Sequence, residues 1–108
     1  MYIAGDLAAE LKLPTGGGLL IQEVGRGSAA EMAGLKGYRD VVLVGNERLG
    51  IGGDFITAID GKPVTEPDAL ARAIARKRPG DTIAVKVIRN GRSMDLQVKL
   101  GEAPEQRN

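Results

Sequence analysis

Three consecutive glycines, Gly16 to Gly18, are the first residues in this sequence whose type and spacing could do chemistry. Bare backbone N–H groups in such a run can surround an anion, which would make the segment a phosphate-binding loop. No Lys-Ser or Lys-Thr pair follows the glycines, however, and the next residues predict a strand rather than a helix. We therefore interpret the run as a flexible connector.

A basic cluster, Arg76-Lys77-Arg78, is a second candidate, because such clusters can contact nucleic-acid phosphates. Aromatic residues make up only 3% of the chain, so stacking partners for bases are lacking, and the net charge is +1. The cluster also follows a predicted helix, where basic side chains complement the negative end of the helix dipole. We predict no nucleic-acid partner. The sequence has no apolar run long enough for membrane insertion.

The composition excludes most catalytic chemistry. With no cysteine and no histidine, the chain cannot contain a thiol nucleophile, a disulfide, a Cys/His zinc site or a Ser-His-Asp triad. Neither a Gly-x-Ser-x-Gly motif nor a Walker loop is present. We predict a non-catalytic domain with no catalytic residue, no cofactor and no metal.

The stretch from Gly53 to Val64 is the structural corner around which the other elements are arranged. Phe55, Ile56 and Ile59 are strand formers, and Thr57 fits the same state. Asp60-Gly61 is a strong signal for a two-residue turn. Pro63 cannot donate to a central ladder. Thr65 is the predicted N-cap of a helix that continues to about Lys77.

The remaining elements follow from hydrophobic periodicity and turn signals. With 108 residues and 43% hydrophobic residues, the chain has the length and the aliphatic core of one domain. Residues 101–108 are polar, and we predict that they are disordered. The predicted elements are a helix from Leu7 to Leu13 with Asp6 as N-cap, a strand from Leu19 to Val24, a short helix capped by Ser28 and Glu31, and two strands joined by Asn90-Gly91.

Residues 36–52 are longer than a simple connection needs. Val41 to Val44 and Arg48 to Ile51 are strand-like, and Gly45-Asn46 between them indicates a hairpin turn. The extra hairpin could be a binding lid or contact arm, or a decoration without function. The sequence leaves both alternatives open.

Several motifs in order along the chain resemble a bacterial PDZ domain, most closely the PDZ domains that follow the protease domain of HtrA/Deg-type serine proteases. The resemblance covers roughly residues 2–100, and we predict a single domain over residues 1–100 with 36–52 inserted. It implies an α+β, mainly β fold, a partly open antiparallel β-barrel or sandwich capped by two helices. The motifs are Glu23-Val24-x-x-Gly27-Ser28-Ala29-Ala30-x-x-Ala33-Gly34-Leu35, Gly53-Asp54-x-Ile56-x-x-Ile59-Asp60-Gly61-x-Pro63-Val64, Pro79-Gly80-Asp81 and Val87-x-Arg89-Asn90-Gly91.

The resemblance also implies a function, which is to bind the free C-terminus or an exposed end of another polypeptide. Such a peptide adds as a strand to a sheet edge, and backbone N–H groups of a tight loop hold its carboxylate. The best match to that loop is Tyr2-Ile3-Ala4-Gly5, followed by Asp6. Ala4 stands where the family has Gly, and Gly5 stands where it has a branched apolar residue. In an alternative register Ile3 takes the last apolar position and the loop starts before Met1.

The same resemblance places peptide-binding residues on the helix after the corner. Leu70, Ala73 and Ile74 sit where pocket walls are expected, and Lys77 could meet a side chain of the bound peptide. Alternatively, Leu70 and Ile74 are core residues and Lys77 contacts only solvent.

The leading hypothesis is a peptide-binding regulatory module that tethers substrate to, or regulates, an attached serine endopeptidase. Its partners would be a C-terminal peptide or unfolded polypeptide, the attached protease domain and sister subunits. The alternative is a structural or oligomerisation domain with little peptide binding. The resemblance implies an extracytoplasmic location, periplasmic or in the cell envelope, in a bacterium.

Overall fold

The computed structural model describes residues 1–101. Apart from Gly101, the predicted disordered tail lies outside the described residues. Within these residues, eight strands and three helices follow one another in this order: β1 (Tyr2–Ile3), α1 (Gly5–Glu10), β2 (Gly18–Leu20), α2 (Ala29–Met32), β3 (Asp40–Val44), β4 (Glu47–Ile51), β5 (Phe55–Ile59), β6 (Lys62–Pro63), α3 (Ala69–Ala75), β7 (Thr82–Arg89) and β8 (Arg92–Lys99).

Six of the strands form one antiparallel sheet in the order β1-β2-β5-β7-β8, with β6 paired to β5. Within residues 1–101, β1 and β8 do not pair with each other, so the sheet is open and not closed into a barrel. The two remaining strands, β3 and β4, form the hairpin predicted within residues 36–52. The expected mainly β, partly open antiparallel architecture is therefore confirmed.

Successive residues of β5 supply two different core clusters, because side chains alternate across a strand. Ile56 belongs to the first core cluster, which lies under α2 and α3 and includes Val85 and Val87. Phe55 belongs to the second core cluster, which packs under α1 and the hairpin. Both clusters are aliphatic apart from the Phe55 ring, as the low aromatic content requires.

The corner has the predicted strand and turn, but the helix after it starts later than predicted. Asp60 (φ +49°) and Gly61 (φ +82°) make the turn in the left-handed conformation that a tight hairpin needs. The helix α3 begins at Ala69 with Asp68 as its N-cap, so the prediction of Thr65 was wrong. The reason is Pro67, because the residue before a proline is kept out of the helical conformation.

Further boundaries differ from the predictions, among them the end of α1, which lies at Glu10 and not at Leu13. The helix α1 begins at Gly5 with Ala4 as N-cap, so Asp6 lies in its first turn and is not the cap. The strand β2 ends at Leu20, before the predicted end at Val24. Beyond it, the Gln22 carbonyl accepts from the Tyr38 N–H at 2.9 Å. Gln22 therefore bonds to the segment that leads into the hairpin.

Other local predictions are confirmed. Ser28 Oγ accepts from the Glu31 N–H at 3.2 Å and caps α2. Asn90 (φ +53°) and Gly91 (φ +79°) form the turn between β7 and β8. Among the described residues, no helix is both long and apolar enough to span a bilayer.

Candidate functional site

The open edge of β1 is the place where another strand can add to the main sheet. Met1 and Leu20 exchange two backbone hydrogen bonds, of 3.0 and 2.8 Å. Because hydrogen-bonded and non-bonded pairs alternate in an antiparallel ladder, the N–H and C=O of Tyr2 point away from β2. Ala4 is extended (φ −155°, ψ 171°), so its N–H points to the same open side. The β1 edge therefore presents outward-pointing N–H groups at Tyr2 and Ala4, two residues apart.

The segment from Tyr2 to Asp6 is a short strand and a helix start, not a loop with a row of free amides. Ile3 is 2% exposed and packs in the second core cluster. The Gly5 N–H donates to the Thr15 carbonyl at 3.0 Å, so it is already occupied. Gly5 and Asp6 are exposed in the first turn of α1. The structure thus differs from the expected carboxylate-binding loop and presents a strand edge at these residues.

On α3, Leu70 and Ile74 line an apolar cavity of about 250 Å³. Its other walls include Ala30 from α2 and Ile56 and Val85 from the sheet, which belong to or pack against the first core cluster. Ile74 is 43% exposed, so the cavity has an apolar rim at the surface. The site can accept an aliphatic side chain.

Ala73 and Lys77 lie on the other side of α3, in a second cavity of about 320 Å³ with charged walls. Lys77 Nζ is 3.2 Å from Asp60 Oδ2, which ties the end of the helix to the β5–β6 turn. The pKa of Asp60 is held below its ordinary value, chiefly by the hydrogen bond from the Ala84 N–H and then by Lys77. Lys77 therefore meets a carboxylate of its own chain.

The structure brings the predicted α3 residues to two cavities, not one. None of the residues from Tyr2 to Asp6 lines either cavity. Tyr2 nevertheless packs against the first core cluster, as Leu70 and Ala73 do, so the β1 edge and α3 share one side of the sheet.

An ion pair with a buried carboxylate, which we did not single out in the sequence, supports the corner. Asp54 is 1% exposed, and Arg89 binds both of its carboxylate oxygens, at 2.7 and 2.6 Å. Arg89 also donates to the Gly34 carbonyl at 2.7 Å, and the Lys36 N–H donates to Asp54 at 3.0 Å. Asp54 and Arg89 both belong to the family motifs quoted above. Their place in these motifs was the only signal in the sequence for the ion pair.

The hairpin is held to the domain on one face and along one edge. Val42 packs against the second core cluster, in which Leu49 is 2% exposed. The Gln22 side chain accepts from the Gly50 N–H at 2.8 Å and donates to the Gly50 carbonyl at 2.9 Å. This side chain therefore takes the place of a neighbouring strand on the outer edge of β4.

Comparison with known proteins agrees with this architecture. The family model described as PDZ domain matches residues 5–100. The chain belongs to the PDZ domain family. The expected PDZ-like fold is confirmed by solved structures of HtrA-type proteases. A variant of the HtrA-type protease AlgW with a decapeptide has a TM-score of 0.70 at 27% identity and matches 99% of this chain and 29% of its own. A second structure, HtrA-type protease AlgW with decapeptide, has a TM-score of 0.66 at 26% identity, covering 97% and 28%.

Curated relatives carry related names. A probable periplasmic serine endoprotease DegP-like from Rhizobium meliloti is 34% identical over 102 residues, which is 94% of this PDZ domain and 17% of the relative. The periplasmic pH-dependent serine endoprotease DegQ of Escherichia coli is 29% identical over 98 residues, covering 91% and 18%. The resemblance to HtrA/Deg-type PDZ domains is thus confirmed, and the chain spans less than a fifth of the length of these relatives.

Proposed function

We propose that this PDZ domain binds the C-terminus or an exposed apolar end of another polypeptide by strand addition to β1. The observation that carries the proposal is the orientation of Tyr2, whose N–H and C=O face away from β2 because Met1 and Leu20 form the hydrogen-bonded pair. The peptide pairs with this edge and with the N–H of Ala4. Two solved structures of HtrA-type proteases contain a decapeptide, which supports peptide binding in general.

Specificity in this proposal comes from α3. The cavity beside Leu70 and Ile74 has almost entirely apolar walls, so it favours an aliphatic side chain of the peptide. Ala73 is small and lets the peptide backbone approach the helix, whereas Lys77 is held by Asp60. The remaining proposed contacts are Gly5 and Asp6, which are exposed at the end of the edge strand. Ile3 is buried and pairs with Gly18 of β2, so it supports the edge strand from the core.

The domain itself is non-catalytic in this proposal and serves an attached serine endopeptidase of the HtrA type. The relatives are named serine endoproteases, and several are named periplasmic. We accordingly propose an extracytoplasmic location, with the domain tethering substrate to the protease or regulating it.

A titration followed by amide chemical shifts tests the proposal. A decapeptide with a free C-terminal Val is expected to shift the amides of Tyr2 and Ala4 and those of residues 66–77. The same peptide with an amidated C-terminus is expected to bind more weakly if backbone amides capture the carboxylate. Absence of shifts at both β1 and α3 with every free-C-terminus peptide tested would refute peptide capture.

A structural or oligomerisation role with little peptide binding is the second candidate. One observation favours it: Leu43 in the inserted hairpin is 71% exposed and Val41 is 46% exposed. The number of subunits and the peptide affinity of the longer protein, measured with and without residues 36–52, distinguish the two functions. An assembly that loses subunits when the hairpin is deleted, with peptide affinity absent in both forms, supports the structural role.

A further inference from the structure

The outer edge of β3 is unprotected, in contrast to the outer edge of β4. Val44 and Glu47 flank a two-residue turn and pair in register, so the hydrogen-bonded pairs include Val44–Glu47 and Val42–Leu49. The N–H and C=O groups of Val41 and Leu43 therefore point away from β4. Within residues 1–101 no backbone or side-chain group hydrogen-bonds to them.

The side chains along this edge are apolar and exposed. Val41 and Leu43 lie on the face of the hairpin that turns away from the second core cluster, and Tyr38, 41% exposed, covers Gly50 on that face. Natural edge strands usually carry Lys, Pro or a bulge that prevents edge-to-edge pairing. Residues 41–44 carry none of these, and the charge of β3 lies at its first residue, Asp40.

The geometry points to a second copy of this chain as the partner. We propose that two domains associate through their β3 edges, antiparallel about a two-fold axis at Val42. In this register Val41 of each copy faces Leu43 of the other, and each of these pairs exchanges both backbone hydrogen bonds. The hairpins then form one continuous sheet with β4 strands outside.

The side chains suit this self-pairing. Val41 and Leu43 make apolar cross-strand pairs on the exposed face, where such pairs stabilise antiparallel strands. Asp40 faces Val44 of the other copy, so no residue of β3 faces a like charge. A net charge of +1 gives little repulsion between two copies. Because the contact is short, we expect a dissociation constant on the order of 100 µM for the isolated domain.

Sedimentation equilibrium of the 108-residue chain tests the association. The weight-average mass is expected to rise above 11.3 kDa with increasing concentration and to approach twice that value. The double variant Val41→Lys with Leu43→Lys is expected to remain monomeric. Glu47→Lys, which makes the same change in net charge on β4, is the matched control and should still associate. A monomeric wild type at all concentrations, or equal association of the double variant, would overturn the proposal.

Disulfide cross-linking tests the register and does not depend on the stability of the lysine variant. The chain has no cysteine, so single variants Val41→Cys and Leu43→Cys can be mixed in a glutathione redox buffer. In the proposed register residues 41 and 43 of different copies have Cα atoms about 5.5 Å apart, within disulfide reach. Like residues are about 9 Å apart, beyond that reach. Preferential mixed disulfides support the register, whereas equal or mainly like-with-like disulfides contradict it. Peptide capture at β1 is unaffected by either result.

Discussion

Arg89 holds Asp54 with both ends of its guanidinium fork, at 2.7 and 2.6 Å, across 35 residues of sequence. Asp54 stands just before β5, Arg89 ends β7, and the third contact of Arg89 reaches the Gly34 carbonyl after α2. The pair therefore joins the sheet, the helix α2 and the root of the hairpin. A bidentate arrangement fixes orientation as well as distance.

Replacing Arg89 by Ala is expected to destabilise the domain strongly. Asp54 is 1% exposed in the wild type, and the substitution leaves only the Lys36 N–H to stabilise its charge. Loss of one partner of a buried pair costs about 3 kcal/mol, which a urea-unfolding midpoint would show. Arg72→Ala is the control, because Arg72 and its partners are about half exposed. That variant is expected to lose under about 1 kcal/mol, and equal losses in the two variants would contradict the assignment.

The stability of the domain should depend on the charge of Asp60 at acidic pH. The Ala84 N–H and Lys77 hold the pKa of Asp60 below its ordinary value. A lowered folded-state pKa means that the stabilisation is present above the ordinary pKa and is lost as pH falls through the folded-state pKa. Asp60→Asn keeps an oxygen for the Ala84 N–H and removes the charge. Its stability deficit is expected at pH 7 and should shrink towards pH 2, as measured by urea unfolding; a deficit independent of pH would argue against the charge effect.

The Gln22 side chain is expected to hold the hairpin in place. Gln22→Ala removes two hydrogen bonds and leaves the buried Gly50 backbone without these partners. The expected loss is about 1–2 kcal/mol in unfolding free energy. Amide exchange should accelerate first in residues 38–51. Gln97→Ala, at an exposed position of β8, should change neither quantity.

Ile74 is expected to contribute to peptide affinity more than to stability. Its side chain lines the apolar cavity and is 43% exposed, so Ile74→Ala removes contact area offered to a ligand. For a labelled decapeptide ending in Val we expect about fivefold weaker binding by fluorescence polarisation, corresponding to about 1 kcal/mol. Arg72→Ala changes the neighbouring charged cavity and should leave affinity within twofold of wild type, because Arg72 does not line the apolar cavity. A loss confined to Arg72→Ala would assign the peptide side chain to the charged cavity.

Local signals in the sequence predicted most strands and turns. Alternating residues in β7 and β8 and the Asn90-Gly91 turn fixed that hairpin, and the Gly45-Asn46 signal located the inserted one. These predictions succeeded because turn conformation and strand register depend on residues close in sequence.

Contacts between distant residues could not be predicted in this way. The early end of β2 depends on Tyr38 bonding to the Gln22 carbonyl, and the ion pair of Lys77 depends on where the β5–β6 turn lies relative to α3. The division of the α3 residues between two cavities likewise follows from packing on both sides of the helix. Only the delayed start of α3 had an adequate local signal, in Pro67.

The ring of Tyr38 lies over Gly50, where a Cβ atom would be 2.6 Å from the ring, so the hairpin requires glycine at this position. The chain has two tyrosines and no tryptophan, and the other tyrosine, Tyr2, stands on the open edge of β1. The intrinsic tyrosine fluorescence therefore comes from one residue at each of the two surfaces proposed to bind partners, the β1 edge and the hairpin. A Tyr2→Phe protein would report optically on the hairpin alone, and Tyr38→Phe on the β1 edge alone.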